Sequence, residues 1–236
     1  MLQIGLIGFG AMGKVHAYAV SNLSAFHSPT DVRARIAGVC CSTPASSACA
    51  AEAIGGGVRP YGDPAEMIDD PAIDVIDVCT PNTSHFPLLK QAIAAGKHIL
   101  CEKPLCVTAG EAELIASLAE ERGICAQVVF HNRFHAPVMR AKQLIGEGRL
   151  GKILSFRFDY LHDSCTDPEK KAGWKQTAVF GGGVLNDLGS HILDLCIHLL
   201  GGVETVSGRA QIAFPQRTGM NGETWETDAD EAFLCS

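Results

Sequence analysis

The first half of the chain repeats one pattern: a short apolar run, then a stretch in which apolar residues recur every three or four positions. Gln3–Ile7, Val32–Cys41, Asp74–Cys79, Lys97–Cys101 and Ile124–Phe130 have the length of buried strands. Between them, Ala11–Leu23, Ala45–Ile54, Thr83–Ala95 and Ala109–Arg122 are predicted as helices, the last two ended by Gly96 and Gly123. Short strands alternating with helices of this length imply βαβ units and a doubly wound parallel sheet, so the fold class is α/β.

The pattern changes after about residue 130. Pro137–Glu147 reads as an amphipathic helix ended by Gly148, and Lys152–Tyr160 alternates like a half-exposed strand. A polar loop, Leu161–Phe180, turns at Asp167-Pro168; Gly183–Leu200 is a long helix closed by Gly201-Gly202; Val203–Phe214 is a strand, and Asp230–Cys235 begins another. We therefore expect a dinucleotide-binding α/β domain over residues 1–125 and an α+β domain with a mostly antiparallel sheet over residues 126–236. Two or three strands give a thin core, so that second sheet is expected to be incomplete, with further strands missing.

Composition narrows the function class. The 236 residues are 47% hydrophobic and 19% charged, with a formal net charge of −7. An acidic chain without a Lys/Arg cluster argues against nucleic acid as a partner. No apolar run approaches the length of a membrane span, and no polybasic amphipathic stretch suggests a membrane surface. The apolar N-terminus follows no Lys or Arg and is broken by Gly5, Gly8 and Gly10, so it reads as strand and turn rather than signal peptide. Ten cysteines are scattered singly apart from Cys40-Cys41, with no C-x-x-C pair. They read as buried reduced thiols, which points to the cytoplasm.

Gly8-Phe9-Gly10-Ala11-Met12-Gly13 matches G-x-G-x-x-G between a strand and a helix, the setting that makes the string meaningful. Gly8 allows the tight turn, Gly10 lets backbone approach a pyrophosphate, and Gly13 lets helix pack on strand. The pyrophosphate would rest on amides at the helix N-terminus. The acidic residue that binds the ribose hydroxyls of NAD is absent after the second strand, where Cys41-Ser42-Thr43 stand instead. Two hydroxyls and no carboxylate tip the expectation from NAD toward NADP.

Further motifs carry a resemblance. Asp77-Val78-Cys79-Thr80-Pro81-Asn82 with His85, Gly96-Lys97-His98, Cys101-Glu102-Lys103-Pro104, Asn132-Arg133-Phe134, and Gly181-Gly182-Gly183 leading to Asp187, Gly189 and His191 together resemble the glucose–fructose oxidoreductase/inositol dehydrogenase (Gfo/Idh/MocA) family. The resemblance implies a Rossmann domain followed by a domain with a large, mostly antiparallel sheet. It implies hydride transfer between NAD(P) and a secondary alcohol or hemiacetal carbon of a sugar, inositol or related polyol. The chain is shorter than family members typically are. The missing part would complete the sheet, some of the substrate pocket and the surface through which a homo-oligomer forms.

Within that resemblance each candidate has a chemical reason. His191 is the general base, since a neutral imidazole near pH 7 suits removal of an alcohol proton. Asp187, four residues earlier on the expected helix, would orient the imidazole or bind a neighbouring hydroxyl. Lys103 would hold the substrate oxygen and stabilise alkoxide charge. Glu102 would hold Lys103 or contact the cofactor ribose, and the family often has a cis bond before Pro104. Thr80, Pro81, Asn82 and His85 follow a strand end and would line the cofactor channel, with helix capping by Asn82 or Thr83 as the competing reading. Asp163, Trp174 and Lys175 lie in the long loop facing the expected cleft, with Asp163 and Trp174 as substrate candidates; Trp174 would pack against substrate or nicotinamide, with simple loop packing as the competing reading, and Arg133 would reach the cleft or form an ion pair. Asp187, His191, Asp194 and His198 share one helical face, but four ligands strung along a straight helix are too far apart for one ion, and His131 and His135 lie in a turn, so no metal is expected. A cofactor-binding protein without turnover, or a relative acting on a non-sugar, stay open as alternatives.

Overall fold

The structure, a computed structural model, describes residues 1–27, 31–163 and 165–236; Ser164, inside the expected loop, lies outside the described residues. The chain divides into two compact units, Met1–Val129 and Phe130–Ser236.

The first unit follows the alternation read from the sequence. Its elements run β1 (Leu2–Ile7), α1 (Ala11–Ser21), α2 (Leu23–Phe26), β2 (Ala34–Cys40), α3 (Pro44–Ile54), β3 (Arg59–Tyr61), α4 (Pro64–Asp69), β4 (Val75–Val78), α5 (His85–Ala94), β5 (His98–Cys101), α6 (Ala109–Glu121) and β6 (Ala126–Val128). The strands form one sheet in the order β3-β2-β1-β4-β5-β6, and every pairing is parallel. β6 belongs to this sheet, which carries the first unit past residue 125.

Because strand side chains alternate, β1, β2 and β4 each feed two cores. Ile4, Leu6, Ile36 and Val39 face Ala17 of α1 and Ala50 and Ala51 of α3. Ile7, Cys40, Ile76, Val78 and Ile99 face Met67 of α4, Leu89 and Ile93 of α5 and Ile115 of α6. The helices start where the side chains tell them to. Thr43 and Ser46 form a capping box on α3, Thr108 and Glu111 one on α6, and Asp63 caps α4. β3 and α4 were not expected from the pattern, and Ala11–Leu23 is shorter than expected because the chain restarts as α2 after Asn22.

The second unit contains α7 (Ala136–Gly146), α8 (Ser190–Leu200) and four short strands, β7 (Gly208–Gln211), β8 (Gln216–Thr218), β9 (Thr224–Glu226) and β10 (Ala232–Cys235). β10 pairs with β7 and β8 with β9, both antiparallel. Two expectations fail here. Lys152–Tyr160 alternates in sequence yet forms no strand, because a strand exists only through a hydrogen-bonded neighbour and none lies beside it among the described residues. Gly183–Leu200 is not one α-helix: Leu185–Gly189 is a π-helical turn that precedes α8. The expected strand Val203–Phe214 contracts to β7.

A polar anchor stands where apolar core is scarce. Arg217 and Glu231 are buried, joined through Nε at 2.9 Å and Nη2 at 2.6 Å. Glu231 also accepts from the Ala213 and Phe214 amides, and Arg217 donates to the Cys165 and Asp167 carbonyls. Every charged atom is thus satisfied locally, the condition under which a buried pair holds a fold together. Arg217→Met is expected to cost about 3 kcal/mol by leaving Glu231 buried and unpaired, read as a shift of the denaturant midpoint of the full chain.

Candidate active site

The sheet order places a topological switch between β1 and β4, whose helical connections leave on opposite faces, and open α/β sheets bind ligands outside the strand ends at such a point. The Gly8–Gly13 turn follows β1, and Cys79-Thr80-Pro81 follows β4. Cross-strand bonds fix both: the Gly8 amide donates to the Cys40 carbonyl and the Cys79 amide to the Ile7 carbonyl, each at 2.8 Å. Between them opens a cavity of about 1040 Å³ lined by Gly8, Phe9, Gly10, Cys41, Ser42, Thr80 and Pro81, with Lys14 and Ser46 at its wall.

The three glycines have different duties. Gly8 has φ +94°, and a Cβ there would meet the Cys79 carbonyl oxygen at 2.5 Å. A Cβ on Gly13 would meet the Gly8 carbonyl oxygen at 2.1 Å, so helix and turn are in direct backbone contact. A Cβ on Gly10 would meet nothing within 4 Å: that residue faces open space. Gly10 is the N-cap of α1 and supplies no capping side chain. An uncapped helix start beside an open cavity fits a pyrophosphate, so the residues present suit a dinucleotide.

Ala11 and Met12 form the exposed first turn of α1. Burial raises the Cys41 thiol above its usual value, against hydrogen bonds from the Phe9 backbone, Ser47 and Ser46, so no negative charge stands at the end of β2. Ser42 lines the cavity. Thr43 is the cap of α3, its hydroxyl taken by the Ser46 amide and hydroxyl. Lys14, which the sequence reading did not single out, is the cation at this wall, with Nζ 5.9 Å from the Phe9 ring centroid.

Asn82 is buried at the start of a 3₁₀ turn rather than capping a helix. His85 is fully buried, and its ring nitrogens lie 2.9 Å from the Pro104 and Thr80 carbonyl oxygens. It acts on the site by tying the loop after β4 to the loop after β5. Lys103 is half-buried in that second loop, and the Lys103–Pro104 bond is cis. Glu102 is buried and accepts from the Lys103 amide at 3.2 Å. Behind it stands His16, another residue the sequence reading passed over.

In the second unit, Asp187 sits on the π-helical turn and pairs with Lys175 at 2.6 Å. Lys175 also lies 5.6 Å over the half-exposed Trp174 ring. His191 is buried, edge-on to His131 at 5.0 Å and to Phe130 at 6.1 Å. The glycines of Gly181-Gly182-Gly183 permit close approach: a Cβ on Gly182 would meet the Lys175 carbonyl at 2.5 Å, and Gly183, at φ +103°, touches Asp230. The motif thus brings Lys175, Asp187 and His191 into one neighbourhood. Arg133 makes the ion pair, a two-pronged one with buried Asp194. Asp163 is almost fully exposed, in a turn beside His162. Lys142 donates to the His198 carbonyl.

Residues 2–130 match the family described as "Oxidoreductase family, NAD-binding Rossmann fold", and residues 138–235 match the "GFO/IDH/MocA C-terminal domain". The chain is 36% identical over 231 residues to levoglucosan dehydrogenase of Pseudarthrobacter phenanthrenivorans, an alignment covering 94% of this chain and 57% of that one. It is 37% identical over 136 residues to a scyllo-inositol 2-dehydrogenase (NADP(+)) of Bacillus subtilis, covering 58% and 37%. A solved levoglucosan dehydrogenase in complex with NADH and L-sorbose superposes with a TM-score of 0.94 at 33% identity, covering 99% of this chain and 62% of that chain. The chain therefore spans about three fifths of the length of these full-coverage relatives.

Proposed function

Because the chain belongs to the GFO/IDH/MocA oxidoreductase family, we propose that it serves as a nicotinamide-dependent dehydrogenase of sugars, inositols or related polyols, with NADP preferred over NAD. The observation that carries the reading is the open cavity in front of Gly10, at the switch point of the parallel sheet. The structural relative seen with NADH and L-sorbose supports the substrate class.

Gly8–Gly13 would receive the pyrophosphate and Thr80 and Pro81 would flank the path toward the nicotinamide. The bound nicotinamide supplies a hydride acceptor or donor. The chain's own residues handle the rest of the alcohol. His191 takes the hydroxyl proton as the C–H pair leaves as hydride, which keeps atoms and charge in balance. Asp187, held by Lys175, receives a neighbouring hydroxyl of the polyol. Lys103 steadies the oxygen as negative charge develops on it.

The preference for NADP rests on what the end of β2 lacks and what α1 adds. Cys41 stays a neutral thiol, and Lys14 offers a cation at the same wall as Ser42. A 2′-phosphate would gain a charge-assisted bond there. Titration with NADPH and with NADH, followed by nicotinamide fluorescence, tests this. NADPH is expected to bind more tightly, and Lys14→Met to weaken NADPH about tenfold while leaving NADH little changed. Equal loss for both coenzymes would move Lys14 to the pyrophosphate. Binding of neither by a folded sample would overturn the dehydrogenase reading.

A further inference from the structure

His16 takes part in none of the chemistry above, yet its buried ring contacts three polar side chains, Asp77, Cys79 and Glu102. It projects from α1, the helix that opens at Gly10, toward the ends of β4 and β5. Its Nδ1 lies 3.0 and 2.9 Å from the two carboxylate oxygens of Asp77, and its Nε2 lies 3.0 Å from Glu102 Oε1. Cys79 Sγ stands 3.3 Å from Nδ1. His16, Asp77 and Glu102 are 8%, 0% and 6% exposed.

With both carboxylates ionised, valence narrows what this ring can be. A neutral imidazole carries one N–H and can donate to one carboxylate only. Its other nitrogen would then direct a lone pair at the second carboxylate, at hydrogen-bond distance and away from water. An imidazolium donates on both sides and offsets one of two buried negative charges. The surroundings agree. Burial works to lower the imidazole's pKa, but the bonds to Asp77, Cys79 and Glu102 outweigh it and push it up to about 12. Glu102 is held below the usual carboxylate range, against its own burial, chiefly by the bond to His16. The Cys79 thiol is pushed up to about 11, first by burial, so it stays protonated. Lys103 also faces Glu102, and the buried Cys101 thiol, pushed up first by burial, adds a further neutral neighbour of Asp77, Cys79 and Glu102.

We propose that His16 is a positioning residue: as a buried imidazolium it locks the Glu102 carboxylate in place and thereby couples the glycine-turn helix to the loop that carries Lys103. The chain of contacts runs from α1 through His16 to Glu102 Oε1, and from Glu102 Oε2 to the Lys103 amide. The proposal's consequence for coenzyme rests on the dehydrogenase reading; the charge state does not.

Two measurements on the full chain test it. The first labels the nine histidines with ¹⁵N and records two-bond ¹H–¹⁵N spectra from pH 6 to 9, the His16 signals being those missing from His16→Gln. Both His16 nitrogens are expected at protonated shifts throughout; a bare ring nitrogen below pH 8 overturns the proposal. The second titrates NADPH and NADH into wild type, His16→Gln and Lys97→Met. Lys97 is a buried amine that donates to the Asp70 and Ile73 carbonyls at the opposite edge of the sheet, so it serves as the purely structural comparison. His16→Gln is expected to bind coenzyme about tenfold more weakly with a shifted nicotinamide emission, and Lys97→Met to lose melting temperature without losing affinity. Unchanged affinity in His16→Gln, or equal losses in both variants, overturns the positioning role. If His16→Gln does not fold, Glu102→Gln takes its place in the titration, and the expected loss is the same. A wild-type chain that binds neither coenzyme refutes the dehydrogenase reading and the positioning role together, while the spectra still decide the charge of His16.

Discussion

Replacing His191 with alanine is expected to lower turnover about 10²–10⁴-fold, the usual worth of a positioned general base. The ring is buried and wedged edge-on between His131 and Phe130, so its orientation is set before substrate arrives. Alanine removes the imidazole and leaves the Lys175–Asp187 pair in place. The loss should therefore fall on kcat, with coenzyme affinity nearly unchanged and a lower melting temperature from the cavity the ring leaves. Coenzyme reduction in the presence of a panel of sugars and inositols measures it. Turnover that survives the substitution would strip His191 of the base role and pass it to another group.

Gly10→Val is expected to abolish coenzyme binding while the protein stays folded. Nothing lies within 4 Å of the position a Cβ would take, and the backbone there is extended, so a valine is admitted by the fold. Its methyls would occupy the space that the pyrophosphate needs. Gly13 offers the contrast, because a Cβ there collides with the Gly8 carbonyl and should damage folding itself. Fluorescence titration together with a thermal melt separates the two effects. A Gly10→Val protein that still binds NADPH would place the coenzyme elsewhere.

Five of the six strands of the first sheet were legible because a parallel strand is buried on both faces and reads as an unbroken apolar run. β3 was not, because Arg59-Pro60-Tyr61 is a three-residue edge strand with no such run. The short helix α4 was announced only by Asp63-Pro64, a cap and first-turn proline easily taken for a loop. In the second unit the alternation of Lys152–Tyr160 misled, since periodicity describes one strand and not its neighbour. β8 and β9 are three polar-rich residues each, joined by a turn whose cue is Asn221-Gly222.

The glycine motif, E-K-P and the Asp187–His191 spacing stood out because each is a local string. His16 did not, because its meaning is a contact across 61 residues to Asp77 and 86 to Glu102. A signal was present nonetheless: Asp77 interrupts an otherwise apolar strand, and a charge inside such a run demands a partner from the facing helix. Lys14 was passed over for a related reason: one lysine in a first turn looks like ordinary surface until the cavity wall is seen.

His85 links two segments, one five positions before it and one nineteen positions after it, through the carbonyls of Thr80 and Pro104. Neither segment can open to solvent without stripping a buried ring of a hydrogen-bond partner, so the two share one opening free energy and behave as a single cooperative unit. Both loops of the proposed site in the first unit are thus tied together before any ligand arrives. Association then needs little loss of backbone entropy, and affinity reflects the contacts made rather than the cost of shaping the site.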